Sequence, residues 1–433
     1  MKEIEIKSPW DNKVFEKIKT NNESQIDSIL TKGYNLSKEK TKYISLFKRI
    51  EILKKFASLI KKNTEFLANQ AVKEGGKPLT DTLVEINRGF EGVESCIEVL
   101  KSESGNVIPM NLNKSSENRV AFTQKEPIGL VLAISAFNHP FNLIIHQIIP
   151  ALAVGCPVIV KPAEDTPLSC LSIIDLLYEA GLPKDWCQFV MPENISLATK
   201  IVEDKRVSFL SFIGSSKVGW FLRSKLAPGT RCALEHGGIA PTFIEEDIDE
   251  IDKVVNSIIK GSFYHAGQVC VSVQKIFMHK KIYDLFTEKL KKKAKKLITG
   301  NPNNIKTEVG PLIRTNEVNR VKNWVDEARK NGANIVLGGE KLTETTYKPT
   351  IISNIKESDK ISNFDGLITH LDEIKALEKD ITLFHAKAVN ETLNTSKSDI
   401  DLIGFHGQTI FHDPKKKISK QLGDGKLLSQ LIK

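Results

Sequence analysis

Short apolar segments alternate with helical patterns through the middle of the chain, and this alternation is what most restricts the fold. The apolar segments have the length and composition of buried strands, and the segments between them have helical patterns. The predicted strands are 129–135, 157–160, 188–191 and 208–212, and the predicted helices are 143–153, 171–180 and 195–202. Strands that alternate with helices form a parallel sheet covered by helices on both faces. The sequence therefore predicts a doubly wound α/β domain.

The segment that precedes this region predicts further structure. Apolar residues spaced by three and four between Ile44 and Asn63 predict a helix within a helix-rich first hundred residues. Residues 105–123 form a polar, turn-rich excursion before the first predicted strand. With 433 residues and 40% hydrophobic content, the chain exceeds one ordinary domain and can bury sizeable cores.

The charge and the cysteines argue against several classes of function. The net charge of +9 includes a lysine-rich stretch at 289–296, which lacks interleaved aromatic residues and is typical of a solvated helix face. We therefore expect no nucleic-acid partner. The six cysteines show no paired spacing, so neither a disulfide framework nor a metal site is expected. The first residues lack the apolar core of a signal peptide, and no run of about 18 apolar residues occurs, so a cytoplasmic protein without a membrane partner is expected.

Three polar residues stand in a pattern that suits one reaction. Cys270 follows a Gly-Gln pair, Glu235 lies just before two glycines, and Asn138 follows the first predicted strand. A thiol that attacks an aldehyde needs a proton acceptor, a donor to the developing oxyanion and a hydride acceptor. Taken singly, the three residues could be a packed thiol, a surface carboxylate and a cap for the helix that begins near Phe141. Taken together, they favour nucleophile, partly desolvated general base and oxyanion donor respectively.

These segments, in the order asparagine, glutamate, cysteine, resemble the aldehyde dehydrogenase superfamily. The matching segments are 127–142, 158–167, 180–183, 212–219, 234–238, 263–270, 310–313 and 347–350. The resemblance implies that Cys270 carries a thiohemiacetal and then a thioester, which water activated by Glu235 hydrolyses. Relatives that pass the acyl group to coenzyme A generally lack this glutamate, so its presence favours release of a free acid.

The resemblance also implies a nicotinamide cofactor. Lys161 and Glu164 match the pair that holds the adenosine ribose, and Gly214 and Ser215 match the turn that carries the pyrophosphate. Because Glu164 would repel a 2′-phosphate, NAD is expected rather than NADP. Without the resemblance, Lys161 and Glu164 would be read as solvent-facing. The turn at Gly214 has neither a dinucleotide fingerprint nor a P-loop.

The resemblance divides the chain into parts and stops after Ser362. It implies a Rossmann-like NAD-binding domain at 1–104 and 124–238, an oligomerisation hairpin at 105–123 and a partial catalytic domain at 239–362 of a truncated dehydrogenase. Residues 403–412 and 421–425 resemble an internal piece of anhydro-N-acetylmuramic acid kinase. We therefore interpret 363–433 as an appended α/β fragment, which lacks the phosphate-binding motif of that kinase.

Two further expectations concern this fragment. Residues 400–405 are expected to expose an unpaired strand edge if they form a strand. The polar residues His406, Gln408, His412 and Asp424 are not expected to form a metal site.

The function implied is NAD-dependent oxidation of a small aldehyde to a carboxylic acid, with an activity that the truncation is expected to impair. The alternatives are a non-catalytic dehydrogenase remnant or chimeric gene product and, less favoured, sugar kinase activity. A homo-oligomer is implied by the resemblance, although the expected C-terminal oligomerisation strand is missing.

Overall fold

The structure is a computed structural model that describes residues 2–354, Lys379 and two strands at 408–413 and 418–422. Its helices are α1 (Glu23–Lys38), α2 (Leu46–Lys62), α3 (Thr64–Gly75), α4 (Leu79–Ser102), α5 (Asn142–Ala153), α6 (Leu168–Glu179), α7 (Ile195–Glu203), α8 (Ser216–Arg223), α9 (Ile251–Phe263), α10 (Tyr283–Ala294) and α11 (Thr315–Lys330). Its strands are β1 (Glu3–Lys7), β2 (Val14–Lys19), β3 (Val107–Ile108), β4 (Ala121–Phe122), β5 (Leu130–Ile134), β6 (Val158–Lys161), β7 (Cys187–Phe189), β8 (Val207–Gly214), β9 (Arg231–His236), β10 (Thr242–Ile244), β11 (Ile276–Met278), β12 (Asn334–Leu337), β13 (Ile351–Ser353), β14 (Gln408–Asp413) and β15 (Ile418–Leu422).

A five-stranded sheet forms the centre of the larger unit. Its strands are all parallel and lie in the order β7-β6-β5-β8-β9. The chain moves outward from β5 to β7 and then crosses back to β8 on the other side of β5. Ligands of open α/β sheets bind at such a reversal, beyond the carboxyl ends of the strands. The crevice beyond β5 and β8 is therefore where a site is expected.

Helices cover both faces of this sheet, as the sequence predicts. Val131 and Ala133 of β5 join a core with α2 to α6, whereas Leu130 and Leu132 face α1 and α7. Successive residues of a strand point to opposite faces, so a strand buried on both sides must be apolar at every position. This is why β5 has no alternating polar residues.

A smaller unit follows the sheet along the chain. β10 and β11 pair in parallel, and their core includes residues of α9 and α10 such as Val255, Ile259 and Phe286. Antiparallel pairs form at β1–β2, β3–β4, β12–β13 and β14–β15. Among the described residues, no helix is both long and apolar enough to cross a bilayer.

The predicted elements can be compared with those observed. The strands predicted within 129–212 and the three helices between them occur with ends displaced by a few residues, and the helix predicted at 44–63 is α2. The excursion at 105–123 contains the exposed β3–β4 pair. Strands β1, β2 and β9 were not predicted from the sequence. The expected strand at 400–405, His406, Asp424 and the junction near Ser362 lie outside the described residues.

Two buried carboxylates, Glu74 and Glu85, cap the N-termini of the helices that follow β6 and β5. Glu74 accepts hydrogen bonds from the backbone N–H groups of Leu168 (2.7 Å) and Ser169 (2.8 Å), at the start of α6. Glu85 accepts from Phe141 (2.9 Å) and from the first residue of α5 (3.0 Å). Neither helix has a side-chain cap at its own N-cap residue. Carboxylates from α3 and α4 therefore satisfy N–H groups that would otherwise be buried without acceptors.

We expect Glu74 to make stability depend on pH. Burial raises the pKa of the Glu74 carboxyl from 4.5 to about 7, although bonds to Ser169 and Leu168 oppose this. Between these values the folded protein binds a proton that the unfolded chain has lost, so stability falls as pH rises through the window. The total is on the order of 3 kcal/mol.

Glu74→Gln should therefore flatten the pH dependence of the melting temperature between pH 5 and pH 8. The matched control is Glu65→Gln, which alters an exposed carboxylate of the same helix and should keep the wild-type slope. Parallel curves for wild type and Glu74→Gln would contradict the assignment.

Candidate active site

The residues singled out in the sequence lie on segments that end at one edge of the central sheet. Asn138 follows β5, Lys161 ends β6, Gly214 ends β8 and Glu235 is the penultimate residue of β9. Because these strands are parallel, their carboxyl ends meet at the same edge. The crevice at the strand reversal thus has polar groups from four separate segments around it.

Cys270 comes from the smaller unit, on a turn that follows α9. We call residues 264–273 the nucleophile turn. His265, Ala266 and Gly267 have φ values of 47°, 54° and 75°, in the left-handed region. This conformation costs non-glycine residues roughly 1–2 kcal/mol each, so the surrounding structure must hold it in place. Cys270 itself is exposed and therefore accessible to a substrate.

Side chains on both sides of Cys270 anchor the turn. The Gln268 amide donates to the carbonyls of His265 and Pro311, both at 3.2 Å, and accepts from the Ile313 N–H at 2.9 Å. The buried Ser272 hydroxyl lies within hydrogen-bond distance of the carbonyls of Gly261 (3.3 Å) and Ser262 (3.2 Å). The nucleophile thus lies between two anchors, each two residues away.

Asn138 contacts this turn directly. Its Nδ2 donates to the Gln268 carbonyl at 2.9 Å, which ties the loop after β5 to the nucleophile turn. One further N–H of the same amide remains for another acceptor. The alternative role as a helix cap does not apply, because Glu85 caps α5 and Asn138 faces the turn instead. The structure therefore brings the asparagine and the cysteine segment together.

Gly238, three residues after Glu235, approaches the backbone of Cys270. A Cβ added to Gly238 would lie 3.3 Å from the Cys270 carbonyl oxygen, so the two backbones are close together. The Glu235 side chain, however, is exposed. The expectation that it is partly desolvated is wrong for this structure. β9 is an edge strand whose residues alternate between exposed and half-buried, and Glu235 lies on the exposed face.

A buried polar cluster lies behind the turn. Lys77 and Glu85 form an ion pair, and each is only 1% exposed. The His139 ring stacks on Tyr264 with centroids 6.0 Å apart, and burial lowers the pKa of His139 to about 4. Burial and the nearby Lys77 also hold the pKa of His265 well below its ordinary value. Both histidines are therefore neutral packing residues near pH 7.

His236 is also packed against neighbouring residues. Its ring meets Trp220 edge-on with centroids 5.4 Å apart, and it approaches Gly219 too closely for a Cβ there.

The expected cofactor residues lie along the same edge. Lys161 is half-buried, and burial lowers the pKa of its ammonium, against the opposing effects of Glu164 and Asp165. Its ammonium donates to the Pro162 carbonyl at 3.2 Å, which leaves further N–H groups for a ligand. Asp165 pairs with Arg314, while Glu164 is exposed.

The end of β8 and the turn after it contain the other two expected cofactor residues, Gly214 and Ser215. Ser215 is the N-cap of α8 and accepts from the Val218 N–H at 3.4 Å. A side chain at Gly214 would force the Phe212 ring to shift, because an added Cβ would lie 2.6 Å from it. Gly214 and the start of α8 lie at the same sheet edge as Lys161. This arrangement fits a pyrophosphate, since N–H groups at a helix N-terminus favour anions.

Comparison with known proteins shows the family of the chain. The model of the aldehyde dehydrogenase family matches residues 1–365. The chain belongs to the aldehyde dehydrogenase family. A second model, that of anhydro-N-acetylmuramic acid kinase, matches residues 346–432, which confirms the resemblance seen in the tail.

Individual relatives agree with the family assignment. The chain is 40% identical over 317 residues to a 3-sulfolactaldehyde dehydrogenase of Priestia aryabhattai, covering 73% of this chain and 66% of that protein. It is 36% identical over 319 residues to a lactaldehyde dehydrogenase of Methanocaldococcus jannaschii, covering 73% and 67%. The chain thus spans about two thirds of the length of these relatives.

Solved structures of the family superpose on the fold. Glyceraldehyde-3-phosphate dehydrogenase GapN of Methanocaldococcus jannaschii, complexed with NADP, has a TM-score of 0.76 at 33% identity, covering 81% of this chain and 75% of that one. A betaine aldehyde dehydrogenase variant of Staphylococcus aureus, complexed with NAD+, has a TM-score of 0.76 at 26% identity, covering 82% and 72%. The two complexes contain different cofactors, so the comparisons support NAD(P) in general.

Sequence reasoning missed three residues that shape the site, namely Lys77, Glu85 and Gln268. The signal for Gln268 is its place directly before the Val-Cys pair, after a glycine. Nothing in the sequence pairs Lys77 with Glu85, because they belong to a turn and to the following helix. The burial that makes this pair important arises only when α5 packs on α4.

Cys270 is expected to be the most reactive thiol of the folded chain. The six cysteines are unpaired, and Cys270 is the exposed one. Burial raises the pKa of the Cys187 thiol to about 12 and raises that of Cys170 as well, so these thiols stay protonated and inaccessible. Alkylation at pH 7.5, mapped by mass spectrometry, should label Cys270 first, and Cys270→Ser should abolish the rapid phase. Faster labelling of the half-buried Cys96 or Cys232 would refute the prediction.

Proposed function

We propose that this chain oxidises an aldehyde to a carboxylic acid through a covalent intermediate on Cys270. The observation that carries the proposal is the hydrogen bond from the Asn138 amide to the carbonyl two residues before Cys270. It joins the edge of the dinucleotide-type sheet to a cysteine of a separate unit. Family membership supports the same reaction class.

The mechanism follows from the groups at the site. The Cys270 thiolate adds to the aldehyde carbon, and the carbonyl oxygen becomes an oxyanion. The remaining Asn138 N–H and the backbone N–H of Cys270 would stabilise this charge. One such donor contributes about 3 kcal/mol to lowering the barrier. A bound nicotinamide cofactor supplies the acceptor for the hydride that leaves the resulting thiohemiacetal.

Hydrolysis of the thioester requires a base, and Glu235 is proposed for that role. Its carboxylate accepts a proton from water as the water attacks the thioester carbon, the bond to sulfur breaks, and the Cys270 thiolate is regenerated with a free carboxylic acid. Its exposure in this structure gives water ready access, and the approach of Gly238, three residues further along the chain, to the Cys270 carbonyl supports the assignment.

Lys161, Glu164, Gly214 and Ser215 are proposed to hold the adenosine and pyrophosphate parts of the cofactor. Lys161 retains N–H groups for ribose hydroxyls, and the start of α8 offers N–H groups to phosphate. The exposed Glu164 carboxylate would repel a 2′-phosphate, so NAD is proposed over NADP.

The substrate is proposed to be a short aldehyde that carries a hydroxyl or an anionic group. Relatives with 40%, 36% and 34% identity are named for 3-sulfolactaldehyde, lactaldehyde and succinate semialdehyde. Arg88 of α4 supports an anionic group. It is exposed, has no ion pair among the described residues, and lies within electrostatic reach of His139 and of Tyr264 in the nucleophile turn.

Turnover of short aldehydes tests this function directly. The full chain should form NADH with succinate semialdehyde or lactaldehyde, faster than with butanal, and should form NADPH more slowly. Cys270→Ser should remove the activity, whereas Cys232→Ser, which alters a half-buried thiol of β9, should retain it. NADH formation that survives in Cys270→Ser would overturn the assignment of the nucleophile, and preference for NADP would overturn that of the cofactor.

Glu235→Gln should separate the two halves of the reaction. Hydride transfer precedes hydrolysis, so a rapid burst of NADH should remain while steady-state turnover falls by about 10²-fold or more. Stopped-flow absorbance would measure both phases. Glu94→Gln, which alters an exposed carboxylate of α4, is the control and should keep wild-type turnover. Equal steady-state rates in wild type and Glu235→Gln would exclude the role.

A further inference from the structure

The nucleophile turn has an unfavourable backbone that its own sequence does not explain. Two non-glycine residues, His265 and Ala266, are in the left-handed region. The exposed Cys270 contributes no packing that would hold them there. Left-handed residues persist only when surrounding contacts over-determine them. The side chain that contacts this left-handed segment is therefore the one on which the geometry of the turn depends.

Of the two anchors of the turn, Gln268 is the one whose side chain contacts the left-handed segment. Its side-chain amide donates to one carbonyl within the turn, that of His265, and to one outside it, that of Pro311. Its oxygen accepts from the Ile313 N–H. Its backbone carbonyl accepts from Asn138. One residue thus contacts the left-handed segment, the neighbouring loop 311–313 and the asparagine.

These contacts connect Gln268 to the buried ion pair of Lys77 and Glu85. The loop that Gln268 holds packs on Gly76, where an added Cβ would lie 2.8 Å from the Pro311 ring. The next residue is Lys77, which pairs with Glu85. Glu85 in turn caps the helix that follows the Asn138 loop. The asparagine and the nucleophile turn are therefore both held against the same buried frame.

We propose that Gln268 is a positioning residue, which holds Cys270 and Asn138 in the relation that oxyanion stabilisation requires. The inference rests on the proposed function of these two residues. A misplacement of about 1 Å at a reacting centre can cost on the order of a hundredfold in rate. Gln268 itself contacts neither substrate nor cofactor in the proposed mechanism.

The role requires an amide. A glutamine side chain presents a donor and an acceptor on one terminal group, which matches two carbonyls and one N–H. A glutamate at this position would keep the acceptor but face the carbonyls of His265 and Pro311 with lone pairs. Protonation of that carboxyl would restore one donor. A methionine would keep the approximate volume and remove every bond.

The test compares Gln268→Met and Gln268→Glu in the full chain. Gln268→Met should slow the NADH burst by about 10- to 100-fold, while the dissociation constant of NAD, measured by calorimetry, changes by less than about twofold. In Gln268→Glu the burst rate relative to wild type should rise as the pH falls from 8 to 5.5, because the carboxyl regains a donor. A purely structural role would give no such recovery.

A control and a second readout keep the inference separate from the proposed function. Gln70→Met removes a single 2.8 Å bond from α3 to Ser172 of α6 and should leave the burst unchanged. Amide exchange of Ile313 should accelerate in Gln268→Met, and this readout needs no activity. Failure of Cys270→Ser to abolish turnover would count against the proposed function. A wild-type burst rate in Gln268→Met, or unchanged Ile313 exchange, would overturn the positioning role alone.

Discussion

The buried ion pair between Lys77 and Glu85 is the interaction on which the rest of the site depends. Burying two charges is costly, and removing one partner of such a pair typically costs about 3–5 kcal/mol because the other charge is left uncompensated. Here the Glu85 carboxylate also accepts two backbone N–H bonds at the start of α5, so its charge is balanced by a cation and by a helix terminus. The position of the Asn138 loop follows from that helix start.

The site is assembled from parts that are stable for different reasons. The central sheet is buried on both faces and positions Lys161, Gly214 and Asn138 through the ends of its strands. The nucleophile turn has strained backbone and depends on side-chain hydrogen bonds instead. A reactive cysteine on such a turn stays accessible, while the anchors at Gln268 and Ser272 limit its movement. Rigid framework and exposed nucleophile are thus supplied by separate elements.

Much of the fold could be predicted because its signals are local. A continuous apolar strand such as 157–160 reflects burial on both faces of the sheet. The helical spacing of apolar residues in α2 reflects burial of one helix face. The expectations for the site residues were of two kinds. Asn138 meets the cysteine segment as the pattern suggested. The partial desolvation expected for Glu235 was wrong, because exposure on an edge strand depends on which elements pack beside it.

By itself, the sequence determined the alternation of strands and helices from β5 to β8, the family, and the residue types needed for thiol chemistry at Cys270. These follow from periodicity and from motifs that span a few residues. Tertiary structure alone decided that Glu85 caps α5, that Lys77 neutralises it, and that Gln268 joins two loops to the asparagine. These contacts link residues that are up to 130 positions apart. Their energies depend on burial, which a single segment of sequence does not encode.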